Sequence, residues 1–160
     1  MQRVLQNLLN EMISIRDLAT IMEAVSESSR VSQNVALITE HVRMRLARQI
    51  SHQVTNEEGY IPILAMSPAW EQTFMEALTN GNSPEERVLS MAPSKVQEFI
   101  TNVRKKFEQT ALQGEMPVLL TSPMIRPYVR SIVERFRPST PVLSQNEIYA
   151  KVKIKTLGQI

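Results

Sequence analysis

Apolar residues in the first third of the chain recur at spacings of three and four. Val4, Leu5, Leu8, Leu9 and Met12 form one such stripe, the pattern of a helix with one buried face. Ser14 stands where an N-cap would, with Asp17 three residues on, in the first turn, where a carboxylate meets the positive end of the helix dipole. The spacing predicts a second helix from there, burying Ile15, Leu18, Ile21, Met22 and Val25 and stopping in Ser26-Glu27-Ser28-Ser29, whose residue types favour turns. A third helix is predicted from about Asn34 to Ile50. Its inward stripe is Val35, Ile38, Val42, Leu46 and Ile50, with Arg43, Arg45 and Arg48 mostly away from it. No strand pattern precedes residue 59.

Beyond that point the period changes. Tyr60 to Met66, Arg87 to Met91 and Met116 to Thr121 are short apolar runs, each followed by a Pro that opens a helical pattern at Pro68, Pro93 and Pro123. Proline suits the first helical position, where its missing N–H would have been unpaired anyway. Three strand–Pro–helix units in a row predict alternating β and α elements with parallel pairing. The helices are expected over Pro68 to about Thr79, closed by Asn80-Gly81-Asn82, over Pro93 to about Gln113, closed by Gly114, and over Pro123 to about Arg137, closed by Pro138. Pro141 to Ser144 is a further short strand, and Val152 to Lys155 alternates with period two, as a half-exposed edge strand does. The expected class is α+β / α/β: a helical subdomain at 1–55, a polar hinge near Ser51 to Gly59, and an α/β subdomain at 59–160.

Composition narrows the function classes. Among 160 residues there is no Cys, which removes disulfides, thiol nucleophiles and Cys-type zinc sites and fits a reducing compartment. Gly59, Gly81, Gly114 and Gly158 are the only glycines, too few for a phosphate-cradling loop or a dinucleotide fingerprint. His41 and His52 make a weak metal pair, and Glu57-Glu58 and Glu85-Glu86 read as solvated loop charge. No enzyme, cofactor or metal site is therefore expected. Nor is a membrane contact: the longest charge-free segment near the middle is Gly59 to Trp70, short of the roughly 20 residues that cross a bilayer. No secretory signal is read in the opening residues, where Arg3 precedes a Gln/Asn-spaced helix.

Residues 1–80 hold six Lys/Arg against nine Asp/Glu, while residues 81–160 hold twelve against seven, so two units with different surfaces are expected. The segment from Ser14 to Met22 resembles the opening of a helix-turn-helix, which makes a DNA-binding module at residues 14–50 the alternative function. Against it, the turn that would read bases is Asn34-Val35-Ala36-Leu37-Ile38, nearly all apolar, in a unit that is net negative. No aromatic residues interleave the basic clusters, and a nucleic-acid partner is not expected.

The segments Pro141 to Ile148 and Lys153 to Ile160 resemble the closing segment of the FlhA family, the export-gate proteins of the flagellar type III secretion apparatus. Val4 to Leu9, Ser14 to Leu18, Thr39 to Val42 with Arg43, Leu46 to Ile50, and Arg126 to Phe136 are similar to the same family in the same order, so the resemblance covers essentially the whole chain. It implies a non-enzymatic scaffold at the cytoplasmic face of the bacterial inner membrane, with membrane-spanning helices and further subdomains ahead of the part seen here. Implied partners are other copies in a nine-membered ring, flagellar export chaperones and their cargo, and other export-apparatus proteins. The chaperone groove is implied to lie largely in subdomains outside this chain. Arg16, Asp17, Arg43 and Arg48 are the candidates for self-association, being charged residues on a short helical unit whose apolar faces are already committed to a core. The plainer alternative is that Asp17 only caps its helix and the arginines are solvated. Ser67, Ser122 and Gln145, at the tips after the strands, are candidates for substrate handling by position alone.

Overall fold

The computed structural model describes residues 2–80 and 87–160. Four helices come first: α1 Gln2–Asn10, α2 Leu18–Ser29, α3 Val35–Arg45 and α4 Ala47–Val54. The second begins later than the sequence pattern predicts, because Asp17 rather than Ser14 caps it. The Asp17 carboxylate accepts from the Thr20 backbone N–H at 3.2 Å and from the Thr20 hydroxyl at 2.8 Å. The expected third helix is two, parted at Leu46, whose φ of −95° and ψ of 14° leave the helical range. The second of them continues through Ser51 to Val54, so the helical part extends into the expected hinge. Asn56 then turns the chain, its side-chain oxygen accepting from the N–H groups of Glu58 and Tyr60.

The strands are β1 Tyr60–Ala65, β2 Leu78–Asn80, β3 Arg87–Leu89, β4 Val118–Thr121, β5 Val142–Ser144 and β6 Lys153–Gln159. Four of them make one sheet in the order β5-β4-β1-β6, every pair parallel. The edge strand at the C-terminal end is longer than the alternation of Val152 to Lys155 suggests. β3 is not part of this sheet, contrary to the expectation of three like units. It pairs antiparallel with β2, a strand the sequence pattern assigns to a helix end. The physical reason is size and exposure: three residues with Val88 half exposed offer no two-sided apolar surface of the kind a buried parallel strand needs. Gly81, Asn82, Glu85 and Glu86 lie outside the described residues.

α5 Pro68–Ala77, α6 Pro93–Leu112 and α7 Arg126–Val133 cover one face of the sheet, while α1 to α4 cover the other. Each strand divides its side chains between the two with period two. Ile61, Ile63, Val118 and Leu143 join the core under α1 to α4, while Leu64, Leu119 and Val142 join the other. That second core centres on Phe99, with Trp70 and Phe74 edge-on to it at 5.2 and 5.0 Å between ring centroids. α6 ends as its sequence suggests, with Gly114 at φ 78°, a left-handed conformation that a glycine adopts without a Cβ clash. α7 is shorter than its apolar spacing predicts: it starts at Arg126 and gives way to turns after Val133.

Candidate functional site

Three arginines and three glutamates meet where α1, α3 and α7 close around the edge strand β5. Strand pairing satisfies only the β4-facing side of β5, so the backbone carbonyls on its outer side need other donors. Arg126 donates to the Val142 carbonyl at 2.8 Å, Arg43 to the same oxygen at 3.3 Å, and Arg130 to the Thr140 carbonyl at 3.1 Å. The guanidinium of Arg126 also grips two carboxylates. It meets Glu40 of α3 at 2.6 to 3.0 Å through Nε and one terminal nitrogen, and Glu11 beyond α1 at 2.8 and 3.0 Å. Arg43 donates twice to Glu147, both at 2.9 Å. Such forked pairs suit arginine and not lysine. Arg43 and Arg126 are each only 2% exposed and Glu147 1%, so these are interior ion pairs that bridge the helical layer and the sheet. Ser51 adds a neutral bond across the same boundary, donating to the Glu147 carbonyl at 2.8 Å.

Burial works to raise the Glu11 carboxyl, but its bond to Arg126 and the charges of Arg126, Arg43 and Arg130 hold it below its ordinary value of 4.5. Burial is the largest influence on Glu40 and pushes it up, against Arg126, whereas Arg126 itself is held high by both carboxylates in spite of its burial. The contacts of 2.6 to 3.0 Å and the 21% exposure of the Glu40 side chain favour the ionised pair at neutral pH. For Glu11 the sign is definite. A lowered folded pKa makes a contribution that is full above pH 4.5 and is lost as pH falls through the folded value. Stability measured by urea unfolding is expected to decline below pH 4.5, and Glu11→Gln should flatten that decline. An unchanged slope in the variant would assign the acid sensitivity to other carboxylates.

A second feature is an open groove of about 890 Å³ between the start of α2, α4 and the segment before β6. It brings together Asp17 and Arg48, two residues expected to meet a neighbour, and adds Arg45, His52, Glu58, Lys151 and Lys153. The Arg48 guanidinium lies 5.9 Å from the centre of the Tyr149 ring. Arg16 is exposed beside Asp17. Arg43 is not with them: expected on an outer face, it points into the chain because Glu147 and the Val142 carbonyl are there to receive it. Ser67 caps α5 by accepting from the Trp70 N–H at 3.3 Å, Ser122 is half-buried after β4, and Gln145 is exposed after β5. With all four strands parallel, these three tips share the C-terminal edge of the sheet.

Sequence reasoning missed Glu11, Glu40, Glu147, Arg126 and Arg130 as a group. One signal was available: Ser144-Gln145-Asn146-Glu147 has capping-box spacing, and Glu147 does accept from the Ser144 N–H at 3.3 Å. Another was that Arg126 and Arg130 stand four apart, at helical spacing beside the apolar stripe of Val129 and Val133. The helix-turn-helix alternative finds no support, since the Asn34 side chain accepts from the N–H groups of Ala36 and Leu37 as the cap of α3 and Arg43 is turned inward. Among the described residues no helix is long and apolar enough to cross a membrane, and no three His, Asp or Glu side chains are grouped to hold a metal ion.

Two helical layers on a four-stranded parallel sheet make a fold found in type III secretion proteins. The Chlamydia pneumoniae CdsV protein matches it with a TM-score of 0.89 at 30% identity, over 99% of this chain and 45% of that one, and has also been solved in a complex with the CdsO protein. EPEC SctV-C, solved as a nonamer, matches with a TM-score of 0.86 at 28% identity, over 99% of this chain and 47% of that one. The flagellar biosynthesis protein FlhA of Caulobacter vibrioides is 50% identical over 159 residues, 99% of this chain and 22% of that protein. Residues 1–153 match the FHIPEP family, and the chain belongs to it. It spans less than a quarter of the length of the curated relatives it matches.

Proposed function

We propose that this chain serves as a non-enzymatic scaffold in the cytoplasmic ring of a flagellar protein export gate, at the cytoplasmic face of the bacterial inner membrane. The observation that carries this reading is the likeness of 99% of the chain to EPEC SctV-C, a protein solved as a nonamer. The 50% identity to a flagellar biosynthesis protein favours the flagellar branch. Arg16, Asp17 and Arg48 are the proposed contacts to the next copy, because they are exposed and the last two share an open groove of mixed charge. Arg43 is dropped from that surface and given a role inside the chain. Ser67, Ser122 and Gln145, at one edge of the sheet, are the proposed side for export chaperones, cargo and other export-apparatus proteins, in keeping with the binding of CdsO by CdsV.

The test is Arg48→Glu in the full gene product. Arg48 is exposed, so the monomer should keep its stability to within about 0.5 kcal/mol. Ring assembly and flagellin export are expected to fall together. Unchanged assembly and export would remove Arg48 from the contact, and an intact ring with lost export would move it to the cargo side.

A further inference from the structure

Arg43 Nη1 and Arg130 Nε are buried in the interior and make no hydrogen bond, among side chains whose other nitrogens are all bonded or ion-paired. Both arginines line one cavity of about 30 Å³, together with Glu11, Pro141 and Val142. Guanidinium nitrogens only donate, so whatever satisfies them must accept. Two carboxylates stand near but are badly placed: Glu11 at 3.3 Å from Arg43 Nη1 and 3.7 Å from Arg130 Nε, and the half-exposed Glu134 also at 3.7 Å from Arg130 Nε, none with the alignment of a hydrogen bond. The cavity exceeds the roughly 10–15 Å³ that one water requires, and such sites are filled when they offer two or more polar partners.

We propose that this cavity holds a single ordered water that accepts from Arg43 and Arg130 and donates to the Glu11 carboxylate. Charge decides against a halide there. Glu11 borders the cavity as a carboxylate, and Arg43, Arg126 and Arg130 are already faced by Glu11, Glu40 and Glu147. A water meets both orphaned donors and the acidic wall at once. It also links α3 in one helical layer to α7 in the other, around the edge of β5. The joint between the layers is then hydrated at its centre, so its ion pairs can lengthen or shift by exchanging bonds with the water instead of losing them. This reading is independent of the proposed export role.

A crystal structure of the 160-residue chain at a resolution that shows ordered waters is the test, with a second data set from a bromide soak. The expected result is one density peak about 2.7–3.2 Å from both Arg43 Nη1 and Arg130 Nε, with no anomalous signal after bromide. An anomalous peak at that position would overturn the proposal in favour of an anion site. An empty cavity, or rotation of either arginine into direct bonding with Glu11 or Glu134, would overturn it outright. In solution, the Arg130 Hε resonance should show a cross-peak to water with the sign of a long-lived contact.

Discussion

Replacing Arg126 with methionine is expected to destabilise the protein by about 3–5 kcal/mol, the range seen when one partner of a buried ion pair is removed. Methionine fills a similar volume and keeps the apolar stem, so the loss reports the guanidinium. Arg126 bonds to Glu11, Glu40 and the Val142 carbonyl at 2.6 to 3.0 Å. Without it, Glu40 keeps no short cationic partner among the described residues, and the edge of β5 loses its shortest outer bond. For a chain of this length each kcal/mol lowers Tm by roughly 2–4 °C, so a fall on the order of 10 °C should appear in a thermal melt. Arg126→Lys should recover only part of it, because one ammonium cannot fork to two carboxylates and a carbonyl together. A Tm of Arg126→Met within a degree or two of the parent would mean that the cluster contributes no net stability.

How far this organisation was legible in the sequence depends on how local each signal is. The four strands of the main sheet and the helices that open with Pro68 and Pro93 follow from apolar runs and proline position, which act over a few residues. The division of strand side chains between two cores also follows from period two once the strands are known. The short ribbon of β2 and β3 was not legible, because nothing in Arg87-Val88-Leu89 distinguishes a central strand from an isolated hairpin arm until exposure is known. The ion-pair cluster was hidden for a different reason. Its partners stand 104 residues apart for Arg43 and Glu147, and 115 for Arg126 and Glu11. A charged residue beside an apolar stripe is ordinarily solvated, and only the approach of a distant carboxylate makes its burial tolerable. Arg43 shows this directly: helical spacing places it at the margin of the α3 stripe, and Glu147 decides which way it turns. The open groove was half legible, since Asp17 and Arg48 could be singled out by charge, whereas Tyr149, Lys151 and Lys153 join them only through the fold.

Charge reversal separates the two kinds of arginine on the third and fourth helices. Arg43→Glu is expected to leave little folded protein at neutral pH. It sets a new carboxylate in the place where Arg43 meets Glu147 at 2.9 Å and Glu11 at 3.3 Å, none of them more than 14% exposed. The cost is at least the roughly 3–5 kcal/mol of breaking a buried pair, with like-charge repulsion added, against a total stability of about 5–15 kcal/mol for a typical domain. Arg48→Glu, on the exposed rim of the groove, should melt like the parent. The comparison guards the functional test: an export defect from Arg43→Glu would be a folding defect, while one from Arg48→Glu would not. The double variant Arg43→Glu with Glu147→Arg restores opposite charges across the same gap. It should recover part of the loss, with a coupling of about 0.5–3 kcal/mol for residues in direct contact. Soluble yield and thermal melting of the three variants decide it, and an Arg43→Glu protein that melts with the parent would place Arg43 at the surface after all.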